Sequence, residues 1–185
     1  MAAIPPLCDF GWRAVDANLI GTDGRQHSIL AQAGQRGLVV AFICNHCPYV
    51  KAVIHRIVRD ARDLGDLGVG FVAVNANDAA AYPADSFENM QRFAGENDLP
   101  FPYLHDADQS AARSYGAVCT PDFFGFNSDG ELQYRGRLDG SRKQESIADL
   151  RRDLYEAMRQ VAHSGQGPRE QTASVGCSIK WRETA

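Results

Sequence analysis

Leu38 to Cys44 is the longest continuous apolar run in the chain, and it is rich in β-branched residues. Such a run, without polar alternation, predicts a strand buried on both faces. The period changes directly after it. Val50, Val53, Ile54, Ile57, Val58, Ala61 and Leu64 recur at i, i+3, i+4, i+7, i+8, i+11 and i+14, which predicts one helix with a single apolar stripe. Pro48 suits its first turn. Gly65 and Gly68 suit its end. Val69 to Asn75 predicts a second buried strand. Strand, helix, strand forms a crossover unit, so the two strands are expected to be parallel.

Downstream, Asp78 to Pro83 reads as a loop, with Asp85 or Ser86 capping a helix that buries Phe87, Met90 and Phe93. A short strand is expected over Phe101 to Leu104, then a short helix from Gln109 to Tyr115 ended by Gly116. Phe123 to Phe126 and Leu132 to Arg137 are extended runs, and Asn127-Ser128-Asp129-Gly130 between them is a hairpin signal. Ile147, Leu150, Leu154, Met158 and Val161 predict a long helix over Lys143 to Val161. His163 to Ser174 is polar and Gly-rich and reads as a flexible connection; Val175 to Trp181 is apolar again. A βαβ half followed by a ββα half describes an α/β protein of thioredoxin fold. A central mixed sheet flanked by helices is expected, with an insertion between the halves and a C-terminal tail. Residues 1–162 would form the domain, and residues 163–185 the connection and the tail carrying Cys177.

Composition narrows the function. At 185 residues the chain is long enough for one full core. With 44% hydrophobic and 23% charged residues, it is neither disordered nor a disulfide-scaffold miniprotein. A net charge of −4 argues against nucleic acid or an anionic membrane as partner. No run approaches the about 20 apolar residues of a membrane helix. Met1 to Asp16 shows no basic start followed by an apolar stretch, so no signal peptide is expected, and the cytoplasm is the expected compartment.

Five cysteines remain: Cys8, Cys44, Cys47, Cys119 and Cys177. The odd number in a cytosolic-looking chain argues against a fixed disulfide framework. Cys44-Asn45-His46-Cys47 lies between the end of the first buried strand and the start of the helix. Unpaired N–H groups and the positive dipole end of a first helical turn favour a thiolate. The three-residue offset lets the pair open and close a disulfide, and a protonated His46 adds a second stabiliser of the reduced form. Half a zinc site is the competing use of such a pair, but no second Cys-x-x-Cys exists.

Phe42 to Val50, containing this motif, resembles the active-site segment of thioredoxin-like proteins of the alkyl hydroperoxide reductase/thiol-specific antioxidant type. Asn75 to Asp78 with Tyr82 to Ser86, Cys119-Thr120-Pro121-Asp122 and Gly176 to Trp181 match the same group. The resemblance covers nearly the whole chain and implies thiol-based redox chemistry on a thioredoxin-like fold. It implies Cys44 as nucleophile and Cys47 as resolving thiol, with His46 tuning the pair. It also implies a cis peptide at Thr120-Pro121 that presents substrate backbone. In the peroxidase branch of the group the peroxidatic cysteine would be Cys47. Cys44, however, stands where those enzymes carry Thr, and Thr120-Pro121 where they carry Arg. The reductase pattern has its own gap, because its buried acid corresponds to Leu38; His46 or Asp78 would have to act as base.

Cys119 lies next to Thr120 and reads as a buried hydrophobe or a third redox or metal-binding thiol. The tail, about 16 residues past Val161, spans about 50 Å at full extension. A domain of this size is about 40 Å across, so Cys177 can reach the pair as a resolving or regulatory thiol. Cys8 reads as structural, and Asp78 as a loop acid at the strand end. The expected activity is a thiol–disulfide oxidoreductase using Cys44 and Cys47, without a cofactor. Its partners would be a protein or small-molecule disulfide and a cellular thiol reductant, with peroxide as a further candidate substrate. The two alternatives are a thiol peroxidase with Cys47 peroxidatic, and a metal-binding protein using Cys44, Cys47 and Cys119, His46 or Cys177.

Overall fold

The structure, a computed structural model, describes residues 2–141 and 150–183. Its strands are β1 (Ala2–Ala3), β2 (Asn18–Gly21), β3 (Gln26–Ser28), β4 (Gly37–Phe42), β5 (Val69–Asn75), β6 (Tyr103–His105), β7 (Cys119–Thr120), β8 (Asp122–Phe126), β9 (Leu132–Gly136) and β10 (Gly176–Ser178). Its helices are α1 (Pro48–Lys51), α2 (Ile54–Asp66), α3 (Phe87–Glu96), α4 (Ser110–Tyr115) and α5 (Asp153–Ser164).

Seven strands form a mixed sheet in the order β3-β2-β6-β5-β4-β8-β9. β4 pairs parallel to β5 from Gly37↔Val69 to Phe42↔Val74, as a crossover connection demands, and β5 pairs parallel to β6. β8 returns antiparallel on the other side of β4, and β9 antiparallel to β8. Every residue of β4 is buried, because the strand sits mid-sheet with both faces covered. Val39, Ala41 and Ile43 pack with α1, α2, α3 and α5 through Val50, Ile57, Met90, Leu154 and Met158. Leu38, Val40 and Phe42 face the opposite layer, with Tyr115 of α4, Phe124 and Ile179. The two-residue strand period thus splits one apolar run between two cores.

The single helix expected after the motif is two. Val53, at φ −123° and ψ −1°, leaves the helical region between α1 and α2. Val50, Val53 and Ile54 all remain buried across the break, so the apolar stripe reports burial rather than an unbroken ladder. The helix expected from Lys143 begins, within the described residues, only at Asp153. Residues 142–149 lie outside them. Arg152, the residue before α5, is held by Asp63 at 2.6 Å and Asp60 at 2.7 Å. α5 runs three residues past Val161, to Gly165 in the left-handed conformation. β6 falls slightly later than expected, and the β2–β3 hairpin was not anticipated.

Residues 165–175 carry no regular element, yet Gly167 and Ser174 are buried and Arg137 N–H donates to Thr172 O at 2.9 Å. Beyond them β10 forms a small sheet with β1 and β7. No described helix is long and apolar enough to cross a membrane.

Candidate active site

Cys44 to Cys47 leave the sheet at the carboxyl ends of the parallel strands β4 and β5, where open α/β sheets place their sites. The residue before a proline is pushed out of the helical region. Cys47 accordingly has φ −65° and ψ 121°, and α1 starts at Pro48. Cys47, not Cys44, is therefore the N-cap, by position and without a side-chain cap hydrogen bond. Both sulfurs are free thiols at 0% exposure.

Each of the two thiols is the largest influence on the other's acidity. Thr120 spans both. Its Oγ1 lies 3.3 Å from Cys44 Sγ, and its carbonyl oxygen lies 3.1 Å from Cys47 Sγ. The Thr120–Pro121 peptide is cis. The thiol of Cys47 is pulled down to about 4, first by the hydrogen bond that Cys44 donates; Thr120 and the amides of Cys177 and Val50 add to this, against burial. Cys44 is pushed up by the same bond, by burial and by the charge of Asp85. Of the two thiols, Cys47 is thus the more acidic.

The sequence pattern offers Asp85 or Ser86 as a helix cap. Ser86 does the capping, with its side chain accepting from Asn89 N–H at 3.3 Å. Asp85 is fully buried beside the cysteines instead. Its carboxylate accepts from Asn45 N–H at 2.8 Å, His46 Nδ1 at 2.6 Å and Asn77 Nδ2 at 2.7 Å. It is a buried acid within 4.8 Å of Cys44, whereas β4 carries Leu38. It reaches the site from a short 3-10 turn, Pro83–Asp85, rather than from β4. Nothing in local periodicity marks it, because the contact joins positions about forty residues apart. His46 is partly exposed, with its ring stacked on Tyr82 at 5.9 Å and 4°. Asn45 is fixed by Tyr103, whose hydroxyl donates to its Oδ1 at 2.8 Å.

Cys44, a ring nitrogen of His46 and a carboxylate oxygen of Asp85 lie within 4.8 Å of one another, a donor set able to ligate a metal. A metal there would have to displace the bond between His46 and Asp85. Asp78 does not join the sulfurs. Its N–H donates to Lys180 O at 2.8 Å and its carboxylate meets Arg182 at 3.5 Å, so it anchors the tail. Cys119 is buried, with its thiol donating to Pro121 O at 3.5 Å, and burial pushes it up. Cys8 is half-buried and pushed up to about 11, mainly by burial. Cys177, partly exposed, lies opposite Thr120 in the pairing of β10 with β7.

A crossover half joined to an antiparallel half, with a Cys-x-x-Cys beside a cis-proline, defines a thioredoxin-like α/β protein. The Redoxin family model matches residues 10–154, and the chain belongs to that family, as a protein with thioredoxin-like redox function. An uncharacterized conserved protein from Geobacillus kaustophilus has a crystal structure of TM-score 0.93 and 41% identity, covering 100% of this chain and 98% of that one. A hypothetical protein from Sinorhizobium meliloti 1021 follows at TM-score 0.89 and 34% identity, over 99% and 98%. The fold alone is shared with a putative thiol:disulfide interchange protein from Chlorobium tepidum, at TM-score 0.60 and 19% identity, over 83% and 97%. No curated protein matches the chain.

Proposed function

We propose that this redoxin is a thiol–disulfide oxidoreductase that cycles a Cys44–Cys47 disulfide. The observation that carries this reading is a buried Cys44–Cys47 pair whose two sulfurs lie against the same residue, Thr120, at 3.3 and 3.1 Å. In place of the expected order, with Cys44 as nucleophile, Cys47, the more acidic thiol, attacks as thiolate one sulfur of a substrate disulfide and expels the other as a thiolate. Cys44 then attacks Cys47 Sγ of the mixed disulfide, closing Cys44–Cys47 and releasing the second substrate thiolate. Two electrons pass to the substrate, and the proton of Cys44 is left for a released thiolate. The Asp85–His46 pair is the nearest proton acceptor. Thr120 holds both sulfurs in register, and Pro121 fixes the turn that carries Thr120.

The thiolate on Cys47, followed by Pro48, favours one second reading, a thiol peroxidase. There Cys47 would be oxidised to the sulfenic acid by peroxide and Cys44 would condense with it, releasing water. The two readings separate on rates of thiol loss. Reduced protein is mixed with a small aromatic disulfide or with hydrogen peroxide, and free cysteine is the reference. Fast loss to the disulfide, with peroxide near the free-cysteine rate, supports the oxidoreductase. Fast loss to peroxide that survives Cys44→Ser and vanishes in Cys47→Ser replaces it with the peroxidase.

A further inference from the structure

Thiol–disulfide exchange depends on access to the attacked sulfur, and Cys44 and Cys47 are both fully enclosed. The strand edge beside them is also taken. β7 pairs with β10 of the same chain, with Cys177 opposite Thr120 and Ser178 opposite Cys119. Gly176 allows this approach, because a Cβ there would run into the Thr120 carbonyl oxygen. The tail is held beyond the strand as well. Ile179 N–H donates to Val118 O at 3.1 Å and Lys180 N–H to Asn77 Oδ1 at 2.9 Å, and Gln109 Nε2 donates to Lys180 O at 2.9 Å. An incoming polypeptide therefore cannot add a strand to the edge of β7 that β10 occupies while the tail is docked.

The same docking sets a third sulfur against the pair. Cys177 pairs opposite Thr120, whose carbonyl oxygen lies 3.1 Å from Cys47 Sγ, and it packs against the cluster that holds Cys44 and Cys47; burial and the nearness of Cys47 push the Cys177 thiol up. Cys47 thus neighbours both an enclosed thiol and one that reaches the surface.

We propose that Cys177 is a relay thiol that carries the disulfide from the buried pair to the surface, where a thiol of low molecular mass reduces it. The proposal rests on the reading of Cys44–Cys47 as the redox pair. Cys177, deprotonated, attacks Cys47 Sγ of the Cys44–Cys47 disulfide. The Cys47–Cys177 bond forms, the Cys44–Cys47 bond breaks, and Cys44 leaves as a thiolate that takes up the proton. An external thiolate then attacks Cys177 Sγ and expels Cys47 as a thiolate, the best leaving group of the three. A second external thiolate attacks the external sulfur of this mixed disulfide and expels Cys177. Two external thiols are oxidised to one disulfide, and the pair is reduced by two electrons.

The test uses the full chain with diamide as oxidant and reduced glutathione as the external thiol. Oxidised Cys44→Ser should lose two thiols per chain and give a single intrachain Cys47–Cys177 cross-link on peptide mapping. Oxidised Cys177→Ser should carry Cys44–Cys47 and be reduced by glutathione at least about tenfold more slowly than wild type, since the accessible sulfur is gone. A wild-type rate in Cys177→Ser, or no Cys47–Cys177 cross-link in Cys44→Ser, overturns the relay. Formation of Cys44–Cys47 in Cys177→Ser reads the underlying pair by itself. Its absence there overturns the oxidoreductase reading.

Discussion

Replacing Cys44 with alanine should raise the pH at which Cys47 ionises. The largest influence holding Cys47 down to about 4 is the hydrogen bond from Cys44, ahead of Thr120 and the two amides. A hydrogen bond to a charged group contributes about 1.5–3 kcal/mol, and a pKa unit corresponds to about 1.4 kcal/mol, so its loss should move Cys47 upward by about 1–2 units. Alanine removes the donor and adds no new charge. Serine keeps an O–H near the same place and should shift Cys47 less. The assay is the ultraviolet absorbance of the thiolate, followed against pH in the fully reduced protein, with Cys47→Ser identifying the step. Cys44, Cys119, Cys8 and Cys177 are all pushed up and lie clear of it. An unmoved midpoint in Cys44→Ala refutes the paired-thiol account of the shift. So does a wild-type midpoint at the free-thiol value of about 8.5.

The depressed Cys47 also links stability to pH. Its folded value of about 4 lies below the unfolded value of about 8.5. Its contribution is therefore complete above the unfolded value and lost as pH falls through the folded one. Urea unfolding of reduced wild type against Cys47→Ser should show a gap that widens across that window; a constant gap contradicts it. Asp85→Asn keeps the shape of the side chain but sets an amide donor among three donors. It should cost about 1–3 kcal/mol in urea unfolding and, in a Cys47→Ser background, let Cys44 ionise at lower pH, which a purely structural role would not do. Gly176→Ala forces a methyl against the Thr120 carbonyl, costing about 1–3 kcal/mol by overpacking. It should also expose Cys47 to alkylation by iodoacetamide, and a wild-type alkylation rate would show that β10 does not shield the pair.

The sheet was legible because its central strands are so apolar. β4 and β5 fall almost where the runs Leu38 to Ile43 and Val69 to Asn75 place them, and the hairpin after Asn127-Ser128-Asp129-Gly130 follows from turn chemistry. Helix boundaries were less legible. The break at Val53 leaves its side chain buried, so periodicity cannot register it, and Arg152 is drawn out by Asp60 and Asp63, acids on a distant helix. At the site, the sequence marks the two sulfurs and Thr120-Pro121. That α1 begins at Pro48, making Cys47 the N-cap, was readable from the pre-proline rule. The position of Asp85 was not, because it depends on how the loop after β5 folds back over the motif. The pairing of β10 with β7 is likewise a long-range event, and only the apolar character of Val175 to Trp181 hinted that the tail docks.

The most direct test of the central claim is an equilibrium redox titration of the full chain in glutathione buffers of graded ratio, with acid quenching and peptide mapping. A single two-electron transition whose oxidised product is the intrachain Cys44–Cys47 disulfide is the predicted result. An absence of that cross-link at every ratio, with Cys44 and Cys47 remaining thiols or pairing only with glutathione, would contradict it.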